Sequence, residues 1–217
     1  MLPPEPPRDC ALCARLVAFR EDQTAAEPTW FNGAVPSFGD PDAWLLIVGL
    51  APGLSGANRT GRPFTGDYAG DLLYGTLCAK GLAEGVYDAR PDDGLVLRGT
   101  MITNAVRCVP PKNKPTGAEI ATCRPFLKAR ITALPALRAI VALGRVAHES
   151  TVTALGARPA QVPFGHGAHH GLTGPDGRPL HLHDSYHCSR YNTNTGRLTP
   201  DMFNAVFDAV LQHRNGV

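Results

Sequence analysis

No apolar run in these 217 residues approaches the roughly 20 that a membrane-spanning helix needs. The opening Met1-Leu-Pro-Pro-Glu-Pro-Pro has no apolar stretch of the kind a secretion signal requires. A cytosolic protein is therefore expected, and in a reducing compartment its six cysteines argue against a disulfide framework and toward metal or redox chemistry. The chain also has no internal repeat, which excludes solenoids and propellers. It has neither G-x-G-x-x-G nor GxxxxGK[ST], which leaves dinucleotide and P-loop sites unsupported. Its histidines show no HxxxH on a helical stretch, so the cluster of six between His166 and His187 reads more simply as polar loop residues than as a zinc site. Acidic residues are scarce in one region: between Arg98 and His148 nine Lys or Arg face a single acid, Glu119. On a chain of net charge +2 such a basic block suits a polyanion partner, although a solvated charged helix would show the same pattern.

What is present describes an α/β domain. At 43% hydrophobic content the chain can bury a full core, and one domain over 1–217 is the expectation. Ala43 to Leu50 and Leu137 to Gly144 are continuous apolar runs, the pattern of parallel strands covered on both faces. Gly99 to Val106 is a shorter strand, and Leu180 to His183 a final one. Helices are predicted over Arg8–Arg20 carrying the CxxC, over Gly70–Gly81, from Thr116 to Leu134 and over Arg145–Leu155. A closing helix has Thr199 before Pro200 at its first position. Thr116 and Glu119 have capping-box spacing, and Pro125 is expected to bend the helix behind them. Gln161 to Thr173 reads as loop. Alternating strand and helix predict a mostly parallel sheet covered on both faces.

The chemistry gathers at strand ends. Asn104 closes one strand and offers a donor and an acceptor together. Past it, Cys108 is followed by Pro110-Pro111 and Pro115, which put Lys112 and Lys114 on a stiff exposed loop. Ala51-Pro-Gly53 lies at the carboxyl end of another strand, where open α/β sheets bind ligands. The loop from Ser55 to Asp67 is longer than the usual two to six residues and carries Arg59, Phe64 as a stacking surface, and Asp67. Cys10 and Cys13 form a CxxC, and Cys108 and Cys123 are separated by fourteen residues, a set able to hold one metal centre whose identity the spacing leaves open. Cys78 reads as a core thiol, and Cys188 as a loop thiol without a sequence neighbour. His183 at a strand end beside an asparagine from another strand is a plausible catalytic pair.

Taken together, Gly49-Leu-Ala-Pro-Gly53, Asn58-Arg-Thr-Gly-Arg-Pro-Phe-Thr-Gly-Asp67, Asn104-Ala-Val-Arg-Cys108-Val-Pro-Pro-Lys-Asn-Lys-Pro115 and His183-Asp-Ser-Tyr-His187-Cys-Ser-Arg190 resemble the uracil-DNA glycosylases of the iron–sulfur family 5, or type B. The resemblance implies a three-layer αβα sandwich on a four-stranded parallel sheet and a structural [4Fe-4S] cluster on Cys10, Cys13, Cys108 and Cys123. It implies DNA bearing uracil or another deaminated or modified base (hypoxanthine, xanthine, ethenocytosine) as substrate; a monomer is the default expectation, independent of the resemblance. Phe64 would stack on the flipped base in a pocket floored by Gly49 and Ala51, and Asn104 would read its Watson–Crick edge. His183 would stabilise the departing base. Asp67, in place of the acid that Ala51 replaces, would orient water or counter the sugar cation. Arg59, Lys112, Lys114, Ser185 and Arg190 would hold phosphates, with Tyr191 in the wedging loop. Asp184 departs from the family's His-Pro-Ser pattern and sets a carboxylate beside a phosphate-binding serine. A non-catalytic, metal-stabilised nucleic-acid-binding module is the main rival, and an electron-transfer iron–sulfur protein fits the basic ligand loops poorly.

Overall fold

The computed structural model describes residues 3–214. In chain order its elements are α1 (Ala14–Ala26), β1 (Phe38–Gly39), β2 (Leu45–Gly49), α2 (Ala57–Thr60), α3 (Tyr68–Ala79), β3 (Ala83–Glu84), β4 (Val96–Leu97), β5 (Thr100–Asn104), α4 (Gly117–Thr132), β6 (Ala139–Leu143), α5 (Arg145–Ala154), β7 (His169–Thr173), β8 (Pro179–Ser185), α6 (Arg190–Asn194) and α7 (Pro200–Leu211). The main sheet runs β1-β5-β2-β6-β8-β7, and β3 pairs with β4 in a separate hairpin. Strands β5, β2, β6 and β8 are mutually parallel, whereas β1 and β7 join the edges antiparallel. The sheet thus has six strands, not the four expected. The two additions were illegible for physical reasons: β1 is two residues long, and β7 alternates only between exposed and half-buried positions in a His/Gly-rich stretch.

Each central strand is buried on both faces, and its alternation divides the core in two. Leu45, Ile47, Val141 and Leu143 pack with Leu73 and Leu77 of α3 and with Phe203, Phe207 and Val210 of α7. Leu46, Val48, Ile140, Ala142 and Leu182 pack with Leu127 and Ile131 of α4 and Val152 of α5. Burial of such side chains, about 1.5–3 kcal/mol each, is the term that holds the three layers together.

Local signals act as the sequence predicts at two helix starts. Thr116 Oγ1 accepts from Glu119 N at 3.3 Å while Glu119 Oε2 accepts from Thr116 N at 2.7 Å, and α4 continues through Pro125 as one helix. Thr199 caps α7 with Pro200 at its first position. The N-terminal helix differs. It starts at Ala14 with Cys13 as its N-cap, so the CxxC precedes the helix in a turn closed by Cys10 N–H donating to Pro7 O at 3.0 Å.

A buried pair fixes β8 to α5. His148 Nδ1 lies 2.7 Å from Asp184 Oδ1, and its Nε2 lies 2.7 Å from Val162 O. Both ring nitrogens face acceptors, which requires the doubly protonated imidazolium. Burial opposes that charge, but the Asp184 carboxylate and the Val162 carbonyl outweigh it, and the His148 pKa is raised. A raised folded-state pKa gives stabilisation that is complete below the unfolded value of about 6.5 and is lost as pH rises through the folded value. Asp184→Asn is expected to cost about 3 kcal/mol in urea unfolding near pH 6, because it strands a buried charge. The gap between variant and wild type should narrow as pH climbs past the folded pKa of His148; a gap that widens with pH would refute the pairing.

Candidate active site

Strand β2 lies between β5 and β6 although the chain visits β5 before β6, so the connections diverge at its carboxyl end and open a crevice there. The crevice is a cleft of about 620 Å³, lined among others by Ala51, Gly53, Phe64, Asp67, Asn104 and His187. Backbone pairing sets Gly49 directly beside Asn104. A Cβ at residue 49 would stand 2.4 Å from Asn104 Oδ1 and 2.6 Å from the Phe64 ring, so glycine there is what lets amide and aromatic ring meet. Asn104 is 2% exposed, and its Oδ1 has no hydrogen-bond partner among the described residues. A buried, unpaired carbonyl facing a cleft costs about 1–3 kcal/mol unless a ligand's donor meets it.

Phe64 is held with φ at 54°, a left-handed conformation disfavoured for an aromatic residue. Its surroundings impose this. Tyr74 Oη donates to Pro63 O at 2.7 Å, and Tyr87 Oη donates to Phe64 O at 3.1 Å. Beneath them Arg62 is buried and paired in two places with Asp93, each at 2.7 Å, with its guanidinium 5.1–5.8 Å from the Phe38, Tyr74 and Tyr87 rings. Sequence reasoning passed over Arg62 as one arginine of a polar loop. Asp67 caps α3, accepting from Ala69 N at 3.2 Å. Its Oδ2 lies where a Cβ on Gly53 or Gly56 would come within 2.6 and 2.3 Å, and burial raises the pKa of the carboxyl.

The expected partner of Asn104 is elsewhere. His183 pairs with Val141, two residues short of the strand-end level marked by Leu143 and Ser185, and two strands separate it from Asn104. It is buried against His169, with ring centroids 4.5 Å apart, and does not line the cleft. Ser185 is fully buried, and its Oγ donates to Tyr186 O at 2.9 Å, so it is unavailable to a phosphate. Asp184, expected beside a phosphate-binding serine, points into the opposite layer toward His148. The cleft instead receives His187, Ser189 and Arg190, one His-x-Ser unit further along. The His187 ring stacks on Phe64 at 5.7 Å and 26°, and burial pushes its pKa down to about 4, so the imidazole is neutral at pH 7. The signal was legible in principle: His183-Asp-Ser185 belongs to the buried strand, and the polar loop begins only after it.

Around the cleft, Lys112 and Lys114 are exposed, and Lys112 and Asn113 adopt φ of 57° and 55°. Arg190 is exposed, with its guanidinium 5.3 Å from the Tyr68 ring, and Tyr191 is 72% exposed. Arg59 folds back on its own loop, donating to Ser55 O at 2.8 Å.

The four cysteines converge from the N-terminal turn, the β5–α4 loop and α4 onto a nest that includes Leu16, Val106 and Phe126. All are free thiols. Four thiols brought to one nest can hold a metal centre. Buried Arg20 sits against it, Nη1 donating to Cys108 Sγ at 3.6 Å and to Cys10 O at 3.2 Å, with no carboxylate partner among the described residues. Arg107 N donates to Cys123 Sγ at 3.3 Å. A buried cation and an amide aimed at sulfur suit an anionic thiolate-bound centre. Cys78 packs against the core as expected, and Cys188 lies in the loop between β8 and α6 as expected but is buried there.

Comparison with known proteins gives concordant results. The family model described as uracil DNA glycosylase superfamily matches residues 36–211. A type-5 uracil-DNA glycosylase of Thermus thermophilus is 50% identical over 200 residues, covering 89% of each chain. Proteins of the same description from Mycobacterium tuberculosis and Pyrobaculum aerophilum are 42% and 40% identical, over 91% and 88% of this chain and 75% and 83% of their own.

Gly49→Ala is expected to drive Phe64 and Asn104 apart and to cost about 1–3 kcal/mol, as overpacking does. Urea unfolding checks the cost and a crystal structure the displacement; an unchanged midpoint would show that the contact is loose.

Proposed function

The chain belongs to the uracil DNA glycosylase superfamily, and from that premise we propose that its cleft takes one uracil flipped out of DNA and hydrolyses the N-glycosidic bond. The observation that carries this is the buried, unpaired Asn104 Oδ1 beside an aromatic ring held in a strained conformation. A base in a duplex cannot be reached, so it leaves the stack and enters the pocket. Phe64 stacks on the ring. Asn104 accepts from the uracil N3–H through Oδ1 and donates to the adjacent carbonyl; cytosine presents an acceptor at N3 and leaves that carbonyl unsatisfied.

As the bond from C1′ to N1 breaks, electrons flow onto the base and the sugar becomes cationic. His187, neutral at pH 7, donates an N–H toward the base carbonyl where charge collects, the role expected of His183. Asp67 faces the sugar, countering its charge or orienting the water whose hydroxyl ends on C1′ while its proton leaves for the base. Arg190, Ser189, Lys112 and Lys114 engage phosphates, Arg59 contributes from the loop side, and Tyr191 fills the gap in the stack. Ala51 contributes no polar side chain to the cleft, which leaves room for hypoxanthine, xanthine or ethenocytosine.

A [4Fe-4S] cluster on Cys10, Cys13, Cys108 and Cys123 supplies a structural cross-link when bound. Cys108 and Cys123 then position the Lys112–Lys114 loop, and Cys10 and Cys13 fasten the N-terminal turn to it. The whole chain acts as one domain and as a monomer in the cytoplasm. None of its described helices is long and apolar enough to cross a membrane.

Single-turnover excision from a uracil-containing oligonucleotide tests the assignment. His187→Ala is expected to lose about 10²–10³ in rate, as removal of an oxyanion donor does, and Asn104→Ala and Asp67→Ala are expected to fall as well. His183→Ala should stay near wild type. The wild-type rate should lack an inflection near pH 6.5, since the His187 imidazole is already neutral there. The converse ranking of the two histidines would sink the role given to His187, and a protein that binds DNA but leaves no alkali-labile site would be the binding module. The purified protein is also expected to be brown, and Cys108→Ser to lose iron, colour and thermal stability together. A colourless wild type containing one zinc would reject the cluster.

A further inference from the structure

We propose that His169, His181 and His213 form a second metal site, which binds one divalent transition-metal ion of the zinc type away from the base cleft and the cysteine nest. The three residues come from β7, β8 and the turn after α7, and their candidate ligand nitrogens all lie within 4.8 Å of one another. His169 Nε2 is 3.0 Å from His181 Nδ1, and the His181 and His213 rings stack with centroids 3.7 Å apart. Tetrahedral zinc, with Zn–N near 2.0–2.1 Å, sets its nitrogens about 3.4 Å apart, so small ring rotations close the site.

The sheet creates this arrangement. His169 pairs directly with His183, and His181 lies two residues before His183 on the same face of β8. The α7 helix packs on that face and delivers His213 over it. Arg138 Nη1 fixes the segment by donating to Arg214 O at 2.5 Å.

A second observation points the same way. His183 is 3% exposed, stacks on His169 at 4.5 Å, and its Nε2 has no partner among the described residues. Four imidazoles thus share one spot with a single hydrogen bond between their rings and, among the described residues, no carboxylate paired with them. Each of these rings, when neutral, has a ring-nitrogen lone pair to offer a metal ion. The other histidine group, His148, His170 and Asp184, does not offer this: both nitrogens of His148 are already committed to Asp184 and Val162. Three imidazoles with His169 exposed leave a fourth coordination position open to water, and the ion would tie the end of α7 to the β7–β8 edge.

The test is zinc titration of the iron-loaded protein by calorimetry, with thermal unfolding alongside. One equivalent of zinc is expected to bind and raise the unfolding midpoint. His181→Ala and His213→Ala should each weaken binding by about a hundredfold or more, at or beyond the loss typical when a ligand's supporting residue is removed. His166→Ala, outside the group, should not. Uracil excision should be unchanged by His181→Ala, which separates this site from the cleft. Failure of the wild type to bind zinc, or binding that survives both histidine variants, overturns the proposal.

Discussion

The missing side chain at Gly49 is the constraint on which the site depends. Strand pairing brings residue 49 level with Asn104, and the loop from Ser55 to Asp67 lays the Phe64 ring across the same point, so two groups occupy the space of one Cβ. That convergence needs a fixed register between β2 and β5, and the register is secured by two-sided burial of both strands. A shift of one residue would carry Asn104 to the other face of the sheet. The apolar core is therefore also the device that aims a polar amide.

The cysteine nest works by a similar coupling at longer range. Glu5 takes Arg107 at 2.5 Å and Arg130 at 3.0 Å, and Arg15 grips Glu119, itself half of the capping box of α4. These contacts bind the N-terminal segment to the strand-to-helix connection that carries Cys108 and the two lysines. Segments about a hundred residues apart in sequence thus become one support for the loop carrying Lys112 and Lys114, and thiolate ligation of a shared centre would reinforce what the ion pairs begin.

Much of this was readable before any coordinates. Continuous apolar runs gave the covered strands, Thr116 with Glu119 gave a helix start, and the cysteine spacing anticipated that the four thiols converge. What could not be read has physical causes. The edge strands β1 and β7 draw on main-chain pairing and carry almost no hydrophobic pattern. The His-x-Ser motif occurs in two registers, at His183 and at His187, and only the length of β8 decides between them. Arg62 looks like a surface charge until Asp93, thirty-one residues later, is seen to enclose it.

That enclosure has a further implication. With Arg62 locked to Asp93 beneath three aromatic rings and two tyrosine hydroxyls pinning the backbone around Phe64, the receiving loop has little freedom to reshape itself. The deformation in recognition then falls on the nucleic acid, whose own softness at a mispair or in an unpaired stretch governs how readily a base is surrendered. Part of the selectivity would then arise before Asn104 ever meets the base, from the mechanics of the polymer that presents it.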